Sequence, residues 1–183
     1  MNAVMAFVTE SDLRLSSHLR SRRIPRWARL WMMWATRMGD GWLWLAVGTA
    51  LLLGGDGWRR VFAACALAAG ASSAALVVLK RRFRRPRPCD GPLAVRPPVR
   101  PSPYAAFIPS DRFSFPSGHS MNAFAIGTVL ALAAPWALVP ILVAAVSVAA
   151  SRVLLGLHFL SDVVAGSLLG TLIGLGSYGA LLL

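Results

Sequence analysis

Long apolar stretches alternate with short basic or polar stretches along most of this chain, and this pattern predicts membrane-spanning helices. Five apolar stretches are separated in this way, at residues 41–55, 61–79, 120–134, 136–155 and 163–183. The first is short, because a helix needs roughly 17 to 25 residues to cross a bilayer. It is expected to extend further back or to lie in locally thinned bilayer. The pattern therefore predicts an all-α polytopic membrane helix bundle with about five transmembrane helices.

The first 38 residues have a different pattern, in which arginines alternate with leucines and tryptophans. No stretch here is both long enough and uncharged enough to cross a membrane. Helices rich in Arg and Trp usually lie in the membrane interface, and Pro25 is expected to separate two short helices. A disordered basic tail is the alternative, which five tryptophans between Trp27 and Trp44 disfavour. We therefore predict an amphipathic interfacial segment at 1–38 and a membrane domain at 39–183.

The second apolar stretch has only small residues at its centre, 68–75, and this predicts the close approach of a neighbouring helix. It ends abruptly at Lys80. The polar residues that follow, 81–115, contain eight prolines, which excludes a regular helix over most of that length. A loop this long is usually functional or disordered.

The composition supports a membrane protein: 56% of the residues are hydrophobic and only 14% are charged. The net charge is +12. A basic balance this strong also occurs in proteins that bind nucleic acid, but here the cations lie between apolar stretches. The predicted partner is therefore an anionic lipid or an anionic substrate, and not nucleic acid.

Arg152, His158 and Asp162 lie in otherwise apolar sequence near the C-terminus. Ionisable groups at membrane depth are costly and mark functional sites by default. His158 and Asp162 are four residues apart, which on a helix places them on one face. The carboxylate can then accept a hydrogen bond from one imidazole nitrogen and leave the other free to react, while Arg152 offers a fork of donors that suits phosphate oxygens. An Arg–Asp ion pair with a helix-capping histidine is the alternative, and this stretch alone leaves both interpretations open.

Two further stretches carry candidate chemistry. The sequence KRRFRRPRP at 80–88 is either a basic end to an apolar helix, which is common, or part of an anion site. The sequence FPSGHS at 115–120 predicts a tight turn into a helix whose first N–H groups are free. A helix N-terminus next to a glycine is a ready anion site, at which His119 would face the bound anion. A plain helix cap by Ser117 is the alternative.

The order of the predicted helices places all three stretches on one side of the membrane. The second helix ends at Lys80, the third begins after His119, the fourth ends near Arg152, and the fifth begins near Asp162. Together they predict a phosphate site with several cations and two histidines. One histidine has a carboxylate partner in the sequence and the other has none. This asymmetry predicts that His158 is a nucleophile and that the histidine without a partner protonates the leaving group.

These residues resemble the type 2 phosphatidic acid phosphatase superfamily, which also includes vanadium haloperoxidases and glucose-6-phosphatase. Its pattern is Lys, six residues and Arg-Pro; then Pro-Ser-Gly-His; then Ser-Arg, five residues, His, three residues and Asp. All three parts occur here in order, at 80–88, 116–119 and 151–162. The resemblance covers about residues 40 to 180, so the N-terminal segment lies outside the motifs.

The resemblance implies a role for each matching position. His158 resembles the nucleophile that forms a phosphohistidine, Asp162 its orienting partner, and His119 the general acid that later activates water. The remaining matches resemble the phosphate cradle, namely Lys80, Arg87, Ser117, Gly118 and Arg152. The family implies an all-α bundle and catalysis without a metal or another cofactor, which fits the seven scattered Asp and Glu residues. The four extra arginines at positions 81, 82, 84 and 85 are expected to favour a strongly anionic head group.

The predicted function is therefore hydrolysis of a phosphomonoester or pyrophosphate of a membrane lipid. A lipid phosphotransferase with the same phosphohistidine is one alternative, and a non-catalytic membrane protein that binds anionic lipid is another. Binding alone needs only cations, so the two histidines and Asp162 disfavour it. A haloperoxidase is disfavoured by the five predicted membrane helices. The motifs leave the lipid substrate and the oligomeric state open.

The distribution of basic residues predicts the orientation in a bacterial-type inner (plasma) membrane. Seventeen of the nineteen Lys and Arg residues fall on the predicted catalytic face, and only Arg59 and Arg60 fall on the other. In many bacterial members of the resembling family the catalytic site faces outward, which is the opposite of the orientation that the positive-inside rule predicts here. Discounting three cations as phosphate ligands still leaves a strong bias, so the catalytic face and the N-terminus are predicted to be cytoplasmic, with the C-terminus outside.

Overall fold

The computed structural model describes residues 3–21, 25–88 and 113–183, and every regular element in these ranges is helical. The helices are α1 (Ala3–Ser21), α2 (Arg26–Met38), α3 (Trp42–Leu53), α4 (Asp56–Phe83), α5 (Gly118–Ala133), α6 (Leu138–Leu154) and α7 (Leu160–Leu182), with a 3-10 turn at Pro135–Ala137. As predicted, Pro25 separates the first two helices and lies at the N-cap of α2. Most of the predicted loop, 89–112, lies outside the described residues.

Within the part of the chain that the structure describes, three segments are long and apolar enough to cross a membrane, at Asp56–Phe83, Pro135–Leu154 and Leu160–Leu182. The apolar helices α3 and α5 are shorter, with 12 and 16 residues, or about 18 and 24 Å of helix. The all-α membrane fold is confirmed, whereas these lengths do not confirm a count of five transmembrane helices. Helix α4 begins at Asp56, five residues before the predicted start, and the exposed Asp56 carboxylate lies at the positive end of the helix dipole, where it pairs with Arg59.

Helices α5 and α7 pack backbone against backbone along a stripe of glycines. Three glycines at intervals of four residues face the N-cap residue of α5 and two residues within it, at the same interval: Gly166, Gly170 and Gly174 face Ser117, Met121 and Ala125. A Cβ atom at Gly166 would lie 2.6 Å from the Ser117 carbonyl oxygen, where no side chain fits. Small residues allow this close approach in membrane bundles. The predicted close contact at the centre of α4 is less tight, because a Cβ atom at Gly70 would meet nothing within 4 Å.

The N-terminal segment packs against the bundle. Helix α1 contacts α6 and α7, and α2 contacts α6 and α3. Met32, Ala35 and Thr36 are buried on one face of α2, while Trp27 and Trp34 are about 70% exposed on the other. Helix α2 is thus amphipathic, as predicted, and its buried face lies against a helix that carries a motif. The division into 1–38 and 39–183 and the interfacial position of the segment stay predictions.

Hydrogen bonds between the helix ends bring the three motif stretches together. The backbone N–H of Ser117, before α5, donates to the carbonyl oxygen of Asp162 in α7 at 3.0 Å. The Arg87 guanidinium, which follows α4, donates to the Leu157 carbonyl oxygen at 3.0 Å. The ends of α4, α5, α6 and α7 therefore meet at one end of the bundle, as the order of the predicted helices requires.

Candidate active site

The turn between α6 and α7 positions His158. Gly156 has φ +71°, a left-handed conformation that glycine adopts without strain. Leu157 N–H donates to the Arg152 carbonyl oxygen at 3.0 Å, and Gly156 N–H donates to that of Val153 at 2.9 Å, which is a Schellman ending of α6. His158 follows this turn, before α7 begins. The expectation that His158 and Asp162 share one helix face is therefore wrong, because the glycine ends α6 first.

The His158 ring is held at both nitrogens and is 2% exposed. Its Nδ1 lies 2.8 Å from the Ser114 carbonyl oxygen, and its Nε2 lies 3.1 Å from Nη1 of Arg87. A carbonyl only accepts and a guanidinium only donates, so Nδ1 carries the proton and Nε2 presents a lone pair. Burial lowers the pKa of His158 to about 4, against the opposing effect of Asp162. The ring is therefore neutral near pH 7, as a nitrogen nucleophile must be.

Asp162 stabilises the turn around His158 and does not hydrogen-bond to its ring. The Asp162 Oδ2 lies 3.7 Å from Nδ1 of His158, beyond hydrogen-bonding distance. The same oxygen accepts from the Phe159 N–H at 2.9 Å, and Oδ1 accepts from Arg85 at 2.8 Å. The predicted hydrogen bond between Asp162 and His158 is thus replaced by the bond to the Ser114 carbonyl, and Asp162 caps the helix that follows.

Arg85 binds two carboxylates instead of adding a free charge for a head group. Its guanidinium donates to Asp162 and Ser161 through Nη1, at 2.8 and 2.7 Å, and to Asp12 through Nη2 at 2.8 Å. It also lies 4.3 Å from the centre of the Phe159 ring. Asp12 in turn accepts hydrogen bonds from the backbone and the hydroxyl of Ser161. The expectation that the extra arginines serve an anionic head group is therefore wrong for Arg85.

The N-terminus of α5 leaves the Ser117 hydroxyl available. Ser117 is the N-cap residue but makes no capping hydrogen bond through its side chain, so the interpretation as a plain cap does not hold. Its buried oxygen accepts from the Ser120 hydroxyl at 3.0 Å, which leaves its own proton free to bond a ligand. A Cβ atom at Gly118 would lie 2.8 Å from a methyl group of Leu76, so Gly118 also allows close packing against α4.

His119 has a carboxylate partner that its sequence neighbourhood does not show. Its Nε2 lies 2.7 Å from Oδ1 of Asp40, in the turn between α2 and α3. The prediction that this histidine lacks a carboxylate partner is therefore wrong. The available signal was weak: Asp40 lies between two glycines and is one of only seven acidic residues in the chain.

Arg152 is buried with part of its guanidinium unsatisfied. The residue is 1% exposed, and Nη1 donates to the Thr36 hydroxyl at 2.8 Å. Its Nε and Nη2 have no hydrogen-bond partner among the described residues. An unsatisfied buried cation is costly, so these donors indicate a site for an anion. Thr36 was not singled out from the sequence.

The other cations complete the site. Arg87 Nη1 lies 3.1 Å from the His158 ring, and the N–H of Ser117, two residues before His119, donates to the Asp162 carbonyl oxygen, so both histidines lie at the same end of the bundle. Lys80 lies half-buried in the last turn of α4. The roles of all these residues, as nucleophile, acid and cradle, stay predictions. The arrangement suits a dianionic phosphate, which Arg87, Arg152 and the start of α5 can surround.

Three comparisons with known proteins agree with one another. Residues 59–181 match the family described as the PAP2 superfamily. A decaprenylphosphoryl-5-phosphoribose phosphatase of Mycolicibacterium smegmatis is 36% identical over 127 residues, which are 67% of this chain and 62% of the relative. The chain thus spans less than two thirds of that relative's length.

Two solved structures resemble this fold. A transmembrane PAP2-type phosphatidylglycerolphosphate phosphatase from Bacillus subtilis is 27% identical, with a TM-score of 0.70 over 98% of this chain and 87% of that chain. LpxE from Aquifex aeolicus is 23% identical, with a TM-score of 0.67 over 91% of this chain and 94% of that one. The second likeness concerns the fold alone.

Proposed function

Because this chain belongs to the PAP2 superfamily, we propose that it hydrolyses a phosphomonoester or pyrophosphate of a membrane lipid through a phosphohistidine intermediate. The three long apolar segments and the transmembrane relative of known structure identify it as an integral membrane protein. The observation that carries the proposal is the state of His158. Its Nδ1–H is fixed by the Ser114 carbonyl, and its Nε2 lone pair points toward the guanidinium of Arg87.

The first chemical step follows from this geometry. The substrate phosphate takes its place between the guanidinium groups and displaces Arg87 from Nε2 of His158. Nε2 attacks phosphorus, the bond from phosphorus to the leaving oxygen breaks, and His119 gives a proton to that oxygen. In the second step water attacks phosphorus, its proton passes to His119, and the N–P electron pair returns to Nε2. The Arg152 donors and the Ser117 hydroxyl stabilise the charge on the equatorial oxygens throughout.

The cationic cradle supports a reaction without a metal ion. Two guanidinium groups, of Arg87 and Arg152, supply the positive charge that neutralises phosphate oxygens, and Lys80 adds a third cation. EDTA is therefore expected to leave activity unchanged. Vanadate, which adopts the five-coordinate geometry of the transition state, is expected to inhibit. Loss of activity in EDTA that Mg²⁺ restores would contradict the metal-independent reaction.

The relatives suggest where to look for the substrate. The names of the relatives given above include a phosphatase of decaprenylphosphoryl-5-phosphoribose and one of phosphatidylglycerol phosphate. Both substrates are phosphomonoesters on a membrane lipid, which is the chemical class that the cradle and the apolar helices fit. Phosphatidic acid, polyprenyl pyrophosphates and lipid A complete the panel of candidates.

The test is phosphate release from this panel by the purified protein and by two variants. His158→Ala is expected to abolish release while lipid binding persists, because the cradle stays intact. His18→Ala is the matched control, since His18 lies exposed on α1, and it should keep full activity. Substantial turnover by His158→Ala would refute the phosphohistidine. Transfer of phosphate to a lipid acceptor in place of water would identify a phosphotransferase, and binding without release by the wild type would indicate a binding protein.

The proposal includes five transmembrane helices with a cytoplasmic site in the inner (plasma) membrane. It rests on the excess of basic residues on the catalytic side, since Arg59 and Arg60 lie at the opposite end of α4. Single cysteines at Ser102 and Gly57, with both native cysteines replaced, report the two sides. A side chain at Gly57 meets nothing within 4 Å, so this substitution is tolerated. Labelling at position 102 and not at 57 by an impermeant maleimide, in intact cells, would reverse the proposed orientation.

A further inference from the structure

The turn between α2 and α3 and the end of α2 lie against two ionisable groups of the site that are distant in sequence, His119 and Arg152. Asp40 Oδ1 lies 2.7 Å from Nε2 of His119, across 79 residues of chain. One turn earlier, the buried Thr36 hydroxyl accepts from Nη1 of Arg152 at 2.8 Å and from the Ser151 hydroxyl at 3.2 Å. This part of the N-terminal region therefore forms a wall of the site.

The backbone of Gly39 packs against Cδ2 of the His119 ring. A Cβ atom at Gly39 would lie 2.7 Å from Cδ2 of His119 and 3.1 Å from Cγ1 of Val148. The ring thus packs directly on the backbone of the turn, where a larger residue would displace it. Two constraints therefore fix the ring: contact with Gly39 sets its position, and Asp40 sets which edge faces the turn.

The partial exposure of the His119–Asp40 pair means that it contributes little to stability, which favours a functional role for it. The side chains of His119 and Asp40 are 23% and 41% exposed, and an exposed ion pair contributes only about 0 to 1 kcal/mol to stability. Asp40 is also the only carboxylate among the described groups whose charges act on His119. The other described groups whose charges act on His119 are the guanidinium groups of Arg87 and Arg152.

We propose that Asp40 is a positioning residue that holds His119 as the general acid and base of the reaction. The proposal rests on the proposed phosphatase function. Asp40 accepts the Nε2–H of His119, so the proton that is transferred is the one on Nδ1, an atom with no hydrogen bond from the described residues. When the P–O bond breaks, Nδ1–H of the protonated ring passes to the leaving oxygen, and Nε2–H stays on the ring as the donor to Asp40. When water attacks the phosphohistidine, its proton returns to Nδ1.

The test uses leaving groups that differ in their need for a proton. Positioned acid catalysis contributes about 10²- to 10⁴-fold, so Asp40→Asn should lower kcat/KM at least tenfold for a lipid phosphate, whose alkoxide must be protonated. It should lower kcat/KM less than about threefold for p-nitrophenyl phosphate, whose phenolate leaves without a proton. Asp40→Glu should restore part of the loss. Asp56→Asn is the matched control, because Asp56 is exposed at the start of α4 and pairs only with Arg59 among the described residues.

Two kinetic results overturn the proposal. Unchanged kcat/KM for both substrates means that Asp40 does not act in the reaction, and an equal loss for both means that it supports the cradle and not the acid. Histidine ¹⁵N NMR gives a readout that needs no turnover, in which the His119 Nε2–H form is expected in the wild type and in Asp56→Asn and is lost in Asp40→Ala, which removes the acceptor. A tautomer that does not respond to Asp40→Ala also overturns the proposal. An inactive wild type with the expected tautomer would refute the proposed function and leave the pairing intact.

Discussion

The two histidines of the site are held by different parts of the molecule. His158 is fixed by residues of the motif-bearing helix ends, namely Ser114, Arg87 and the turn that Asp162 caps. His119 is held by Asp40, and the neighbouring Arg152 is held by Thr36. Thr36 lies in α2 and Asp40 in the turn that follows it, so both of these partners precede the first motif at 80–88.

The difference separates the groups that carry out a reaction from those that position them. The proposed reacting groups are restricted in type and in spacing, because a nucleophile, an acid and a cradle each need a particular side chain. Their partners on the N-terminal side need only supply one acceptor at the right place, and any acceptor that folds into that place can serve. Substitutions on the two sides should therefore have different consequences.

The largest effect is expected for Asp162→Asn, on the motif side. The amide would keep the size of the side chain but would lose the charge that binds Arg85 and caps Phe159. Because this charge holds the turn that positions His158, and a small misplacement of a reacting group can cost about 10²-fold, phosphate release should fall by about 10²-fold. The measurement is phosphate release beside thermal unfolding in detergent. A variant with a tenth of the wild-type activity would show that the turn holds His158 without this charge.

A smaller effect is expected for Thr36→Val, on the N-terminal side. The change keeps the shape and removes the acceptor of Arg152 Nη1. A buried donor left without a partner costs about 1 to 3 kcal/mol, which corresponds to KM raised about tenfold if the cost falls on substrate binding. Thr49→Val is the control, because the exposed Thr49 hydroxyl bonds only to its own helix, at Leu45. The same KM in both variants would contradict a role for Thr36 at the cradle.

Asp12→Asn should affect stability more than rate. Removal of one partner of a buried ion pair costs roughly 3 to 5 kcal/mol, but Arg85 keeps its second carboxylate, Asp162. The expected result is a lower unfolding temperature with kcat within about threefold of the wild type. Glu10→Gln is the control, since the Glu10–Arg14 pair is exposed and contributes little. A large loss of kcat at unchanged stability would place Asp12 in the reaction itself.

The smallest effect is expected on the protonation of His158 between pH 7 and pH 5. Burial lowers its pKa to about 4 from 6.5, so the folded chain binds this proton less readily than the unfolded chain. The folded state should lose stability as pH falls from 6.5 toward 4, and this group should contribute no pH dependence above that range. Histidine NMR is the direct measurement, because phosphate esters also titrate near pH 6. A His158 ring that titrates near 6.5 would contradict the buried neutral state.

Much of the fold could be predicted from the apolar pattern, and the predictions that were wrong failed for physical reasons. The seven helices lie where apolar stretches or amphipathic segments predict them, and the four helix ends meet as their order requires. Hydrophobicity does not report where a helix begins in a polar segment, which is why the start of α4 was missed. The glycines of α7 were visible at intervals of four residues, but only packing reveals that they face the backbone of α5.

Some residues of the candidate site could likewise be predicted from the sequence, and others became visible only in the structure. Residue type and spacing were sufficient to single out His158, His119 and Arg152, and the structure places all three at the same end of the bundle. Spacing was misleading for Asp162, because a glycine turn interrupts the helix that the four-residue interval implies. Asp40, Asp12 and Thr36 stayed hidden, since each is a single polar residue whose partner is at least 73 positions away.

The glycine stripe also limits how the site can move. Because residues on both α5 and α7 repeat every four positions, a small slide of one helix along the other would drive a larger side chain of α7 into the backbone of α5. The next position at which the two surfaces fit is four residues away, or about 6 Å along the axis. His158, which precedes α7, and Ser117, which precedes α5, therefore keep a fixed position along the helix axes relative to each other. An adjustment to bilayer thickness or to substrate entry is therefore expected at other contacts. Helix α2 contains no glycine, so its contact with α6 has no interlocking of this kind.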